Sequence, residues 1–346
     1  MANGTEVNLS AANNGTATDR MEYVFKPIEP PTQLILLILL VTVGIIGLMG
    51  NILVLCFLRT KKPARQFLWW TAFERNFQLH IMSLAISDVL SALVSLPPVG
   101  VQLFFDLLQR GWGCKIARYL AIVFPSITMY NLLFISIEKY YSTRKVPHTF
   151  SYFTAIRMLM FAWIAGCLIT LLPGATYDGV RYDLNETHYT VVCRYDNRVL
   201  PFRVMYLIFI SLQYITPMVF MTKINISLII TVRQRMMRKV DVQRDNGIRM
   251  MVRAPTIRST CIIIALSLAF IIPYFLYIVH IVYNNVTKAT IDFETDIVIR
   301  AVSFLIAISN PAINFVLYFV QMKDFRTFLK RLFAARFAVE NVNPSN

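Results

Sequence analysis

The chain has 346 residues, of which 56% are hydrophobic and 15% charged, with a formal net charge of +15 and a mean hydropathy of +0.56. That balance excludes a soluble α/β enzyme of this size and suits a chain that crosses a bilayer several times. A basic excess in a soluble protein would suggest nucleic acid; in a membrane chain its distribution among the loops carries the information.

Seven stretches are long and apolar enough to span: 33–58, 78–104, 112–142, 153–175, 203–235, 257–284 and 296–320. An odd count puts the termini on opposite sides. With the N-terminus outside, 23 of the 34 Lys and Arg fall on cytosolic segments with only 6 of the 19 acids, so the positive-inside rule sets that orientation. Glycosylation triplets at Asn3, Asn8, Asn14, Asn185 and Asn285 all lie on the side predicted to be outside. Residues 1–32 lack an apolar core, so no cleavable signal peptide is expected and the first span serves for insertion.

Residues 1–32 read as a disordered, glycosylated extracellular tail. The first span carries Gly50-Asn51, and a polar Asn in hydrocarbon faces the bundle interior more often than lipid. The aromatic, basic stretch Arg59 to Gln78 is expected to lie in the interface as an amphipathic segment. Asp88 stands in mid-membrane, where a carboxylate is costly enough to require a partner, a proton or a bound cation. Pro97-Pro98 must kink or end the second span and open space towards the outside.

The third span runs from Cys114 to Glu138-Lys139-Tyr140, about 37 Å as a helix. Cys56, Cys167 and Cys261 sit in apolar spans, which leaves Cys114 and Cys193 as the natural disulfide, with two free thiols as the alternative. The fourth span centres on Trp163, the fifth holds Pro217 and the sixth Pro273, and a basic loop joins the last two. The seventh holds Asn310-Pro311 and Asn314 to Tyr318. Residues 321–337 place Phe325, Phe328, Leu329, Leu332 and Phe333 on one face and Lys323, Arg326 and Lys330 on the other, an interfacial helix before the cytoplasmic tail 338–346.

Taken in order, these residues resemble the rhodopsin-like class of G-protein-coupled receptors over about residues 33–337. The fold implied is an all-α seven-transmembrane bundle, 33–320, with a short amphipathic eighth helix. The function implied is a plasma-membrane receptor that binds an extracellular ligand and activates a heterotrimeric G protein. Departures from the family pattern are as informative. Lys139 replaces the usual arginine and lacks its planar fork. Phe315 replaces the proline of Asn-Pro-x-x-Tyr, with Pro311 four residues earlier, and Phe270-Ile271 replace the usual Cys and Trp. The Asn-Phe-x-x-Tyr variant is similar to that of several invertebrate neuropeptide receptors.

The resemblance also implies site residues. Asp88, Thr128, Asn310 and Asn314 match the positions that hold an allosteric sodium ion, and all four keep an oxygen ligand. Glu138, Lys139, Tyr140 and Tyr318 match the inner coupling positions. The ligand pocket is expected from Gln102, Ala121, Ile122, Pro125, Tyr274, Phe275, Tyr277, His280, Phe304 and Ile308. Ala121 stands where aminergic members have an Asp, and Ile308 where opsins attach retinal to a lysine. A peptide is therefore the expected ligand, with Asp292, Glu294 and Asp296 placed to receive a basic residue.

Other classes fit less well. A transporter or channel would need internal symmetry and paired charges along its path, whereas this chain has one acid in mid-membrane. An enzyme would need ligand or nucleophile spacing, and the four histidines are scattered. A receptor-like protein that binds without activating a G protein remains the closest rival, on account of Lys139, Ile271 and Phe315.

Overall fold

The computed structural model describes residues 21–25, 28–60, 68–144, 148–196, 199–241, 247–287 and 293–342. Among the described residues, seven helices are long and apolar enough to cross a membrane: Pro30–Thr60, Ala72–Phe104, Gly111–Ser142, Tyr152–Thr176, Leu200–Gln234, Ile257–Tyr283 and Phe293–Gln321. The third is the most deeply buried of them. It packs against the second, fourth, fifth and sixth, so residues on all sides of it become core. The first span exposes many large apolar side chains, and it leans on the second and on the later half of the seventh.

Prolines shape the spans without ending them. A proline has no N–H to give to the carbonyl four residues back, and the helix relieves this by widening. Pro97 follows a π-helical turn at Ser91–Ser95, and Pro217 follows one at Ser211–Ile215. In the seventh span, Pro311 sits in the first turn of a new segment, Asn310–Gln321, after a break at Ser309.

Three differences from the sequence reading have local causes. The aromatic stretch expected at the interface is helix from Leu68 onward, continuous with the second span, because Phe73 and Phe77 bury against the bundle. The segments beyond the spans, for which the sequence predicts no strand, hold a small sheet: β1 (Glu22–Tyr23), β2 (Tyr177–Asp183) and β3 (His188–Tyr195), in the order β1-β3-β2. β2 and β3 form an antiparallel hairpin, and β1 adds parallel to β3, so the end of the tail expected to be disordered is ordered at Glu22 and Tyr23. The eighth helix runs Lys323–Val342, longer than expected.

Cys114 and Cys193 form the predicted disulfide, with Cα atoms 5.4 Å apart. It staples β3 to the start of the third span, across a loop of 79 residues. Asp178 reinforces the same junction from β2, accepting from the backbone N–H groups of Gly111 (2.8 Å) and Gly179 (2.7 Å). Partial burial raises the Asp178 pKa, but these two donors and Lys115 outweigh it and hold the carboxyl below the usual range. Gly111 itself has φ +54°, a left-handed turn that favours glycine where the chain swings into the helix.

Candidate functional site

The polar and charged groups fall at three depths. At the outer end, a cavity of about 160 Å³ opens between the second, third, sixth and seventh spans under the hairpin. Its walls include Val99, Gln102 and Leu103, Tyr277, and Phe293, Asp296, Ile297, Arg300 and Phe304; Arg118 comes from the third span. Tyr177, Tyr182, Val192, Cys193 and Arg194 of the hairpin form the roof, and Ile28 closes one side.

Of the pocket residues expected from sequence, Gln102, Tyr277 and Phe304 line this cavity. His280 reaches its edge, with Nε2 3.4 Å from Asp296 Oδ1. Ala121, Ile122 and Pro125 are buried within the bundle below it. Tyr274 is also core, stacked on Phe270 (centroids 4.2 Å) and Tyr214 (5.4 Å). Ile308 packs with Leu40 and Leu96. Phe275 does not line the cavity: it is 57% exposed on the outer face, because the helical step from Tyr274 turns it away from the bundle.

Asp296 is not open to a basic ligand group, contrary to expectation. Its Oδ2 accepts from Arg194 Nη1 (3.1 Å) and Arg300 Nε (2.8 Å), while its Oδ1 faces His280. Asp292 lies outside the described residues, and Glu294 is exposed and is not among the cavity's walls. Arg118, Arg194 and Arg300 were missed by sequence reasoning. For Arg118 the signal was available: a guanidinium one turn inside Cys114, followed by a stretch with no charge until Glu138.

In the middle of the bundle, three of the four expected sodium ligands meet directly and the fourth joins through one of them. Asn314 Nδ2 donates to Asp88 Oδ2 (2.9 Å) and to Asn310 Oδ1 (2.8 Å). Thr128 Oγ1 donates to Asp88 Oδ1 (3.3 Å) and lies 2.8 Å from Ser87 Oγ. Asp88 is 1% exposed and Asn314 fully buried. Asn314 thus links the seventh span to the second through Asp88.

At the inner end, the four coupling positions do not act as one cluster. Glu138 is gripped by the second span, accepting from Asn76 Nδ2 (2.7 Å) and lying 3.2 Å from His80 Nε2. Lys139 is fully buried; its Nζ donates to Ser259 Oγ of the sixth span (2.5 Å) and sits 4.1 Å above the Phe73 ring. Tyr140 packs on Tyr141 and under Arg144. Tyr318 is fully buried, next to the start of the eighth helix where Phe325 lies against Phe57 and Phe315.

Among the expected glycosylation positions, Asn185 is exposed at the tip of the hairpin, where its Oδ1 accepts from the backbone N–H of Thr187 and His188. Asn3, Asn8 and Asn14 lie outside the described residues, as does the side chain of Asn285.

Seven spans thus carry a disulfide-tethered hairpin over a cavity at one end, a buried acid in the centre and a third-to-sixth contact at the other end. The sequence profile of the 7 transmembrane receptor (rhodopsin family) matches residues 50–318, and the chain belongs to that family. The crystal structure of squid rhodopsin superposes with a TM-score of 0.69 at 18% identity, covering 92% of this chain and 89% of that one, a likeness of fold. Melanopsin-B of Gadus morhua is 27% identical over 139 residues, 38% of this chain. That stretch spans 20% of the melanopsin.

Proposed function

We propose that this receptor sits in the plasma membrane with its N-terminus outside, binds a peptide in the outward cavity and activates a heterotrimeric G protein. The observation that carries the reading is the hydrogen bond from Lys139 to Ser259. It ties the inner ends of the third and sixth spans, the two that must part to admit the tail helix of a G-protein α subunit, so a ligand that favours the parted arrangement shifts a two-state bundle. A peptide suits the roofed cavity, whose tyrosines and arginines are the groups that dominate peptide contacts. A covalently attached chromophore does not suit it, because Ile308 stands at the attachment position among Leu40 and Leu96. Glycans on Asn3, Asn8, Asn14, Asn185 and Asn285 fit the same orientation.

The test is G-protein activation in cells, basal and after peptide extracts are applied, for the wild type, Lys139→Arg and Lys139→Ala at matched surface expression. We expect the wild type to respond and the alanine variant, in which the tie is already open, to show raised basal activity and to lose the further response to extract. A wild type silent under every extract, with Lys139→Arg gaining basal activity, would support the rival reading of a receptor-like protein that does not activate a G protein.

We also propose that Asp88, Thr128, Asn310 and Asn314 hold a sodium ion. Carboxylate, hydroxyl and amide oxygens suit a hard cation, and Asn314 Oδ1 is buried with no hydrogen-bond partner, so the cluster has an unused ligand. A bound cation would offset the cost of the buried carboxylate and favour the closed bundle. Sodium chloride is expected to raise the melting temperature of the wild type relative to choline chloride, and to leave Asp88→Asn unchanged; an equal rise in both would sink the assignment.

A further inference from the structure

The cavity's charge balance runs opposite to the one expected from the acidic residues of the last outer loop. Among its described walls stand three guanidinium groups, Arg118, Arg194 and Arg300, and one carboxylate, Asp296. The carboxylate is already claimed by Arg194 and Arg300, and Arg194 also donates to Tyr182 Oη (2.6 Å). Arg118 is different. Its Cζ lies 4.5 Å above the Tyr177 ring, and its buried Nε has no hydrogen-bond partner. A guanidinium keeps its charge at any physiological pH and brings five donors, so a cation–π contact alone leaves most of its capacity unused.

We infer that the receptor's ligand presents a carboxylate to Arg118, joined to an apolar group about the size of one aromatic ring that fills the space beside it. The inference rests on the proposed ligand-binding role of this cavity and names the chemistry that the cavity selects. Size sets the apolar part: about 160 Å³ holds a single ring or branched side chain and not a folded peptide, since a cavity of about 150 Å³ accepts benzene. Val99, Leu103, Ile297 and Phe304 supply apolar walls for such a group. Charge sets the polar part: a carboxylate can accept two parallel bonds from a guanidinium, a geometry an amide or amine cannot reproduce. The free C-terminal carboxylate of a peptide ending in an apolar residue has this chemistry, and so does a small organic acid.

The experiment separates those two sources. The purified full chain in lipid nanodiscs is melted by tryptophan fluorescence with Ser-Gly-X tripeptides, X being each apolar residue, in free-acid and C-terminally amidated forms. 3-Phenylpropanoate and its amide form the second arm, and 3-phenylpropylamine is the cationic control. Free acids are expected to stabilise saturably, with apparent affinities about tenfold or more above the matching amides. Arg118→Gln should abolish that preference and Arg118→Lys keep part of it, while Arg157→Gln, on the exposed face of the fourth span, leaves it intact. A shift by the tripeptide acids alone identifies a peptide end; a shift by 3-phenylpropanoate alone identifies a small acid. Equal shifts for acid and amide, a stronger shift by the amine, or no shift with any acid would overturn the inference. Because the readout is binding and not signalling, that result would leave the coupling test with the Lys139 variants standing on its own.

Discussion

Glu138→Ala is expected to be among the most destabilising single changes in the chain, lowering stability by about 2–5 kcal/mol. Asn76 and His80 are both fully buried, and the Glu138 carboxylate accepts from one and faces the other. An ionised carboxylate only accepts, so the His80 proton lies on Nε2 when the pair is formed. Removing the carboxylate strands that donor on a fully buried ring whose Nδ1 already lacks a hydrogen-bond partner. Asn76 retains a second acceptor, the Phe150 carbonyl at 2.9 Å, so most of the loss falls on His80. Glu138→Gln keeps an acceptor oxygen and is expected to lose less. Melting of the purified protein followed by tryptophan fluorescence checks this, and an alanine variant that melts with the wild type would refute it. The same geometry separates stability from signalling. Glu138 is held by the second span and Lys139 by the sixth, so basal G-protein activity should rise in Ser259→Ala and stay near wild type in Glu138→Gln.

Gly50→Ala is the second change with a large expected effect, and it depends on Phe315. A Cβ at position 50 would lie 2.2 Å from Phe315 Cγ and 2.6 Å from its Cβ. These atoms are at the root of the ring's side chain, so the phenyl group cannot swing clear without moving the seventh span. Overpacking of this kind costs about 1–3 kcal/mol. Phe315→Ala alone leaves a void against Phe325 and the first span, and it costs stability by the opposite route. Combined, the two changes relieve each other, so the double variant should melt above the value expected from adding the two losses. Strict additivity would show that the contact does not constrain the helices. The prediction ties two sequence oddities together: the aromatic at 315 is accommodated because position 50 has no side chain, and the proline displaced to 311 still breaks the helix one turn earlier, where Asn51 Nδ2 reaches the Pro311 carbonyl at 3.1 Å.

Much of this was legible in the residues. Hydropathy and the order of motifs specify seven spans and the Cys114–Cys193 link, because a bilayer allows few ways to satisfy a backbone. The buried cluster around Asp88 was legible for a related reason: a carboxylate in hydrocarbon must meet partners, and the chain offers few. The outer site was legible only in part. Helical phase places Tyr277 inward and Phe275 outward, but which of them lines a cavity depends on where neighbouring helices lean.

What the sequence determined by itself is the architecture: the spans, the disulfide and the amphipathic eighth helix follow from local pattern and the energetics of a membrane. What only the tertiary structure decided is partnership. Asp296 looked open to a basic ligand until Arg194, 102 residues away in the chain, was brought within 3.1 Å of it. Glu138 and Lys139, adjacent in sequence, turn to different helices because successive helical residues point about 100° apart. Charges act through distance and burial, and those are set by contacts between spans that no stretch of the chain contains alone.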